Sequence, residues 1–229
     1  MLSMRIYKLL VIALLIPLLL VLGCGRKQQV GLHYDFAISP KKGEVLKDVT
    51  VYLPFPAKDG KPMMEIYESL MRDYKEYRVK EYPTAKVSLI KTRYGTMLKV
   101  HVPEVDKRGF GLEGGYGFEE PFSRESIAPR FPITPRLNPR NLPGYKTGYL
   151  CDSYIYAEFD NAEEMGVALT YEITSLSPSL LPLDYTPSDH YWAHLGWDRV
   201  PGNSEVLVKY YPSSGWQKVP LVDLGYDKE

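Results

Sequence analysis

The sequence predicts a mainly β protein: an antiparallel, sandwich-like domain of about eight short strands, with one docked amphipathic helix and two long irregular loops. Three observations predict it. Apolar and polar residues alternate with period two over several short segments, and turn residues cluster between them. Only one window, Met63 to Tyr77, carries helical spacing instead. The third is a pair of Gly- and Pro-rich stretches that break both periods.

Taken in order, Leu32 to Ile38 places Tyr34, Phe36 and Ile38 on one face of a first strand. Val49-Thr50-Val51-Tyr52-Leu53 is β-branched and aromatic, and Pro54 and Pro56 are expected to end its ladder because neither donates a hydrogen bond. Val87 to Ile90 and Met97 to Val102 flank Thr92-Arg93-Tyr94-Gly95, a hairpin turn with Gly supplying positive φ. Cys151, Ser153, Ile155, Ala157 and Phe159 then share one strand face, with Asp152, Tyr154, Tyr156 and Glu158 on the other. Val167 to Ile173 repeats the pattern after a turn at Asn161 to Gly166, and Val206 to Tyr211 with Gln217 to Val222 reads as a final pair. The helix is expected from about 62 to 78, with Pro62 at its first position. Met63, Ile66, Tyr67, Leu70, Met71, Tyr74 and Tyr77 form its apolar stripe, and Glu68–Arg72 and Arg72–Glu76 are i, i+4 pairs opposite.

The two interruptions are 104–148, with six Pro and seven Gly, and 176–203. Aromatic residues through the first of them, such as Phe110, Tyr116, Phe118 and Phe131, predict a strap packed on the sandwich rather than a disordered tail.

Composition narrows the function classes. The 229 residues carry 28 basic and 28 acidic side chains, 45% hydrophobic residues and 19 tyrosines. That excludes a disordered chain, a disulfide-framework miniprotein and a polytopic membrane protein. A neutral balance also argues against a dedicated nucleic-acid binder, whose affinity rests on neutralising phosphates.

The N-terminus is the most specific segment. Arg5 and Lys8 precede an uncharged run from Leu9 to Leu22 that contains Pro17. Such a run covers roughly 21 Å as a helix, short of the ~30 Å hydrocarbon core, and so fits an export signal. It ends at Val21-Leu22-Gly23-Cys24, which resembles the lipobox of prokaryotic lipoproteins. The resemblance implies a diacylglyceryl thioether on Cys24, cleavage after Gly23 and an extracytoplasmic, membrane-anchored chain. The domain division expected is therefore a signal at 1–23, a lipidated Cys and tether at 24–31, and one β-rich domain at 32–229. Loss of Arg5 and Lys8 with the signal leaves 26 basic against 28 acidic side chains. Cys151 is then the other cysteine, and no intramolecular disulfide is expected.

Several motifs bear on chemistry. Gly109-Phe110-Gly111-Leu112-Glu113-Gly114 has the letters of a dinucleotide-binding loop, but Gly115 to Pro121 cannot open the helix whose N-terminus would hold a pyrophosphate. His190 and His194, four apart, would share one face of a short helix capped by Ser188, with Asp184, Asp189 or Asp198 as a carboxylate ligand. Tyr191, Trp192 and Trp197 supply aromatic faces able to stack on sugar rings. Pro129, Pro132 and Pro135 have polyproline II spacing, which would place Arg130 and Arg136 along another edge to meet anions or pair with local carboxylates. Cys151 falls on an apolar strand face and reads as an inert thiol, and neither a nucleophile elbow, a P-loop nor an EF-hand loop occurs.

The function expected is a non-catalytic binding or interaction module, anchored to the membrane through Cys24 and meeting an envelope protein or glycan, with no cofactor and no nucleic acid. The alternative is a metal-dependent hydrolase using His190 and His194.

Overall fold

The computed structural model describes residues 27–41, 43–121, 130–141, 148–178, 185–195, 209–212 and 215–225. The chain forms β1 (Lys27–Pro40), β2 (Leu46–Lys58), β3 (Lys61–Pro62), α1 (Met64–Asp73), a π-helical turn (Tyr74–Arg78), β4 (Lys86–Thr92), β5 (Gly95–Val105) and β6 (Phe110–Pro121). There follow β7 (Ile133–Thr134), β8 (Leu137–Asn141), β9 (Gly148–Asp160), β10 (Glu164–Pro178), β11 (Tyr185–Leu195), β12 (Lys209–Pro212) and β13 (Gly215–Gly225). The protein is mainly β, antiparallel and sandwich-like, with one α-helix among the described residues.

Nine strands pair in the order β4-β5-β2-β9-β13-β11-β10-β1-β6. β1 and β2 stand far apart along this path, yet they face each other. Tyr34 of β1 packs edge-on against Phe55 of β2 with ring centroids 5.3 Å apart. The sheet therefore folds over on itself, with β4, β5, β2, β9 and β13 in one half and β11, β10, β1 and β6 in the other. Val30, Leu32, Tyr34, Phe36 and Ile38 of β1 face Val49, Val51, Leu53 and Phe55 of β2 in one buried core. Burial of each such side chain contributes roughly 1.5–3 kcal/mol relative to exposure.

Connections between the halves are short arches at one end of the fold: residues 41–45 join β1 to β2, 106–109 join β5 to β6, and 161–163 join β9 to β10. Asn161, at φ 67°, donates its amide to the Val45 carbonyl at 3.1 Å and so ties two arches together. The turn after β9 is thus not a hairpin, because β9 pairs with β2, β8 and β13 while β10 pairs with β1, β11 and β12. The expected pair at the C-terminal end also separates: β12 pairs with β10, and β13 with β9 and β11.

Helix α1 forms where the sequence places an apolar stripe, and Ile66 and Leu70 are fully buried. Its start differs from the expectation. Asp59 and Gly60, at φ 51° and 73°, make a two-residue turn that pairs β2 with β3, so Pro62 lies in β3 and Met63 is the N-cap. The helix covers the edge of β6. The Gly115 N–H donates to Ser69 Oγ at 3.1 Å and the Glu113 N–H to Asp73 Oδ2 at 3.3 Å. Tyr67 meanwhile donates its hydroxyl to the Val87 carbonyl of β4, the other edge strand, at 3.1 Å. One helix so bridges the two ends of the sheet, giving unpaired edge groups partners that water would otherwise supply.

Four further expectations are corrected. Among the described residues there are thirteen strands rather than about eight, and β1, β2, β9 and β10 run to 14, 13, 13 and 15 residues. Pro54 does not end β2; β5 pairs only as far as Pro54, after which Phe55 and Pro56 pair with β7. The stretch 104–148 is not an irregular loop, since it holds β6, β7 and β8, and β11 occupies much of 176–203. Residues 27–31, expected to belong to a tether, are instead part of β1, and Val30 is already core.

Candidate functional site

On the outer face of the first half, pairing aligns one residue from each of four adjacent strands. Lys99 of β5 stands opposite Tyr52 of β2, Tyr52 opposite Tyr156 of β9, and Tyr156 opposite Trp216 of β13. All four are half-buried. Their side chains point outward because Val51, Leu53, Ile155 and Ala157, one residue away on either side, fill the core.

The rings form two stacked pairs around one indole. Tyr52 stacks on Tyr156 at 4.7 Å, and Tyr94, carried by the β4–β5 turn, stacks on Tyr154 at 4.0 Å and 9°. Trp216 meets Tyr52, Tyr94 and Tyr156 edge-on, at 5.7, 4.9 and 5.6 Å. The Arg93 guanidinium also lies over the indole ring, 5.8 Å from its centroid. Cations flank the group: the Arg93 guanidinium lies 4.7 Å from the Tyr94 centroid and the Lys99 ammonium 5.7 Å from that of Tyr52. Tyr156 donates to Glu158 Oε2 at 2.7 Å; that bond to a carboxylate pushes its hydroxyl up to about 12, so the phenol stays a donor at neutral pH.

Next to the aromatic rows lies a charged knot. Asp152 accepts from Lys218 at 2.8 Å, Asn138 at 2.9 Å and Arg140 at 3.0 Å, and the first two hold its carboxyl below the usual range. β8 is thereby pinned to β9 and β13.

Among the described residues, the arginines singled out in the sequence take separate partners. Arg130 makes two bonds to Glu120, at 2.9 and 2.7 Å, and Arg136 donates to Cys151 Sγ at 3.4 Å while lying 5.6 Å from the Tyr149 ring. Both therefore hold the strap to the body, and Phe131 and Ile133 between them are fully buried. His190, Tyr191, Trp192 and His194 lie on β11, not on a short helix. Four residues along a strand span about 13 Å, against about 6 Å along a helix, which separates the two histidine positions beyond the reach of a single ion's paired ligands. Cys24, Trp197 and Asp198 lie outside the described residues. Among the described residues no group of three His, Cys, Asp or Glu is placed to hold a metal ion. Gly109 to Gly114 opens a strand, and its glycines serve close packing: a Cβ at Gly111 would stand 2.5 Å from the Phe36 carbonyl oxygen.

Sequence reasoning reached Tyr154 and Tyr156 through strand parity but missed Tyr52, Tyr94 and Trp216. The signal for Tyr52 was its place between core residues Val51 and Leu53. Comparison with known proteins finds no matching family model, no matching curated protein and no matching solved structure.

Proposed function

We propose that this protein is a non-catalytic lipoprotein of the extracytoplasmic membrane face, anchored through Cys24, that binds an envelope glycan through the aromatic face of β2, β9 and β13. The observation that carries the binding part is the row Lys99–Tyr52–Tyr156–Trp216. Sugar rings present apolar C–H faces and a rim of hydroxyls. An indole face with phenols, carboxylates and cations around it offers stacking to the first and hydrogen bonds to the second. Glu158, Lys99 and Lys218 supply that polar rim. The anchor is supported by the charge, length and Gly23-Cys24 features of the leader.

Two measurements test it. Metabolic labelling with a tagged fatty acid should mark the wild-type chain and not a Cys24→Ala variant. Purified envelope polysaccharide should quench tryptophan fluorescence, with affinity lowered at least ten-fold in Trp216→Ala and Tyr156→Ala. Unchanged affinity in both variants would remove the face from the binding site, and photocrosslinking from position 154 to a protein would replace the glycan by a protein partner.

A further inference from the structure

The end of the sandwich opposite the three arches gathers cations. β1 starts there at Lys27, and the β2–β3 turn brings Lys58 and Lys61 to the same end. Lys58 lies 5.3 Å from the centroid of Phe131 and 6.0 Å from that of Phe118, the last aromatic residue of β6. Arg93 at the β4–β5 turn, Arg130 and Arg140 complete the set. Among the described residues the acids at this end include Asp59, Glu119, Glu120, Asp152, Asp189 and Asp223, and Lys27 and Arg130 are paired with Glu119 and Glu120. Arg140 and Lys218 share Asp152. Lys61 and Arg93 project as exposed cations, and Arg93 stands beside the half-buried ring of Tyr94.

The cationic end is also the end nearest the anchor. Two residues, Gly25 and Arg26, separate Cys24 from the first residue of β1. Even fully extended, that link reaches about 11 Å from Cys24 to Lys27. A lipid on Cys24 would hold this end against the headgroups, in register with phosphate charge.

We infer that the end bearing Lys58, Lys61 and Arg93 docks on anionic phospholipid headgroups of the leaflet that holds the Cys24 lipid, so that the domain stands on the bilayer with its arches outward. This rests on the lipoprotein reading above. Acyl chains supply the anchor, and basic residues near a surface add attraction that falls off within a Debye length. Tyr94, amphipathic and next to Arg93, suits the same interfacial depth.

The test uses the mature protein extracted from membranes in detergent, its mass measured first, and reconstituted into vesicles. One set is phosphatidylcholine and the other a 7:3 mixture with phosphatidylglycerol. A fluorophore on Thr96→Cys, at the same end of the fold, is compared with one on Glu163→Cys, using a nitroxide carried on lipid headgroups as quencher. Quenching at 96 should exceed that at 163 several-fold in the anionic vesicles and shrink toward it in phosphatidylcholine or at 0.5 M salt. A Lys58→Gln, Arg93→Gln pair should lose the preference for phosphatidylglycerol by about five-fold per cation removed. The salt series on the unsubstituted cations stands even where that pair fails to fold. A lipidated chain quenched alike at both positions, or without dependence on anionic lipid and salt, overturns the docking alone. A mature chain without diacylglyceryl mass on Cys24 overturns the anchor and the docking with it.

Discussion

The Tyr34 hydroxyl donates to the Pro54 carbonyl at 2.8 Å across the core, joining β1 to a strand five places away in the sheet. It is the one polar tie on a ring that is fully buried, placed where β2 loses β5 as a partner.

Tyr34→Phe should leave that carbonyl buried without its donor. The cost expected is about 1–3 kcal/mol, larger than for replacing an exposed tyrosine such as Tyr77. Urea unfolding of both variants, read by far-UV circular dichroism, gives the comparison; equal midpoints would show that Pro54 finds another donor.

Alkaline stability follows from the same burial. Desolvation raises the phenols of Tyr34 and Tyr171 well above the usual tyrosine value. Because the folded-state values are raised, the stabilisation is fully present below about pH 10, where unfolded tyrosines ionise, and is lost as pH climbs toward the folded-state values. Phenolate absorbance should therefore rise in two stages, with the buried group appearing only as the fold is lost. A single smooth titration that leaves the circular dichroism unchanged would contradict this.

Gly114→Ala should destabilise the contact between the helix and β6. A Cβ there would stand 3.0 Å from the backbone nitrogen of Leu70 and 3.1 Å from the carbonyl oxygen of Ile66. Backbone cannot give as a flexible side chain does, so about 1–3 kcal/mol is expected. Leu70→Ala, which empties the same contact, should cost about 2–5 kcal/mol. Calorimetry of both variants checks the order.

Asp152 is the hinge of the strap. Asp152→Ala should speed amide hydrogen exchange in residues 137–141 while leaving β1 and β10 protected. Its carboxyl is lowered in the fold, so its contribution is present above the unfolded value near 3.9 and fades as pH falls through the lower folded one. Exchange in the strap should therefore accelerate on acidification before global unfolding, and uniform acceleration would refute the local tie.

Faces proved more legible than partners. Period two on β1, β9 and β10 named the inward residues correctly because a one-residue slip would have exposed them. The turn at Arg93-Tyr94 was readable because Gly95, at φ 115°, needs a residue without Cβ. Arches and hairpins use the same turn residues, however, so Asn161 gave no sign that β9 and β10 belong to different halves. β6 reads as a loop in the sequence because Gly111, Gly114, Gly115 and Gly117 have poor strand propensity. Contact with the helix and with β1 outweighs that propensity. The aromatic face joins Tyr52 to Trp216 across 164 positions of chain, a distance that local periodicity cannot bridge.

Helix α1 gives the sheet its two-ended closure, and that has a consequence for how such a chain fails. Were the helix to detach, β6 would present bare peptide groups along its edge, and another copy of the same strand could dock there in register. The helix thus acts as a stopper against polymerisation, and insoluble fibrils should appear first in variants that loosen Leu70 or Gly114, well before the sandwich itself melts.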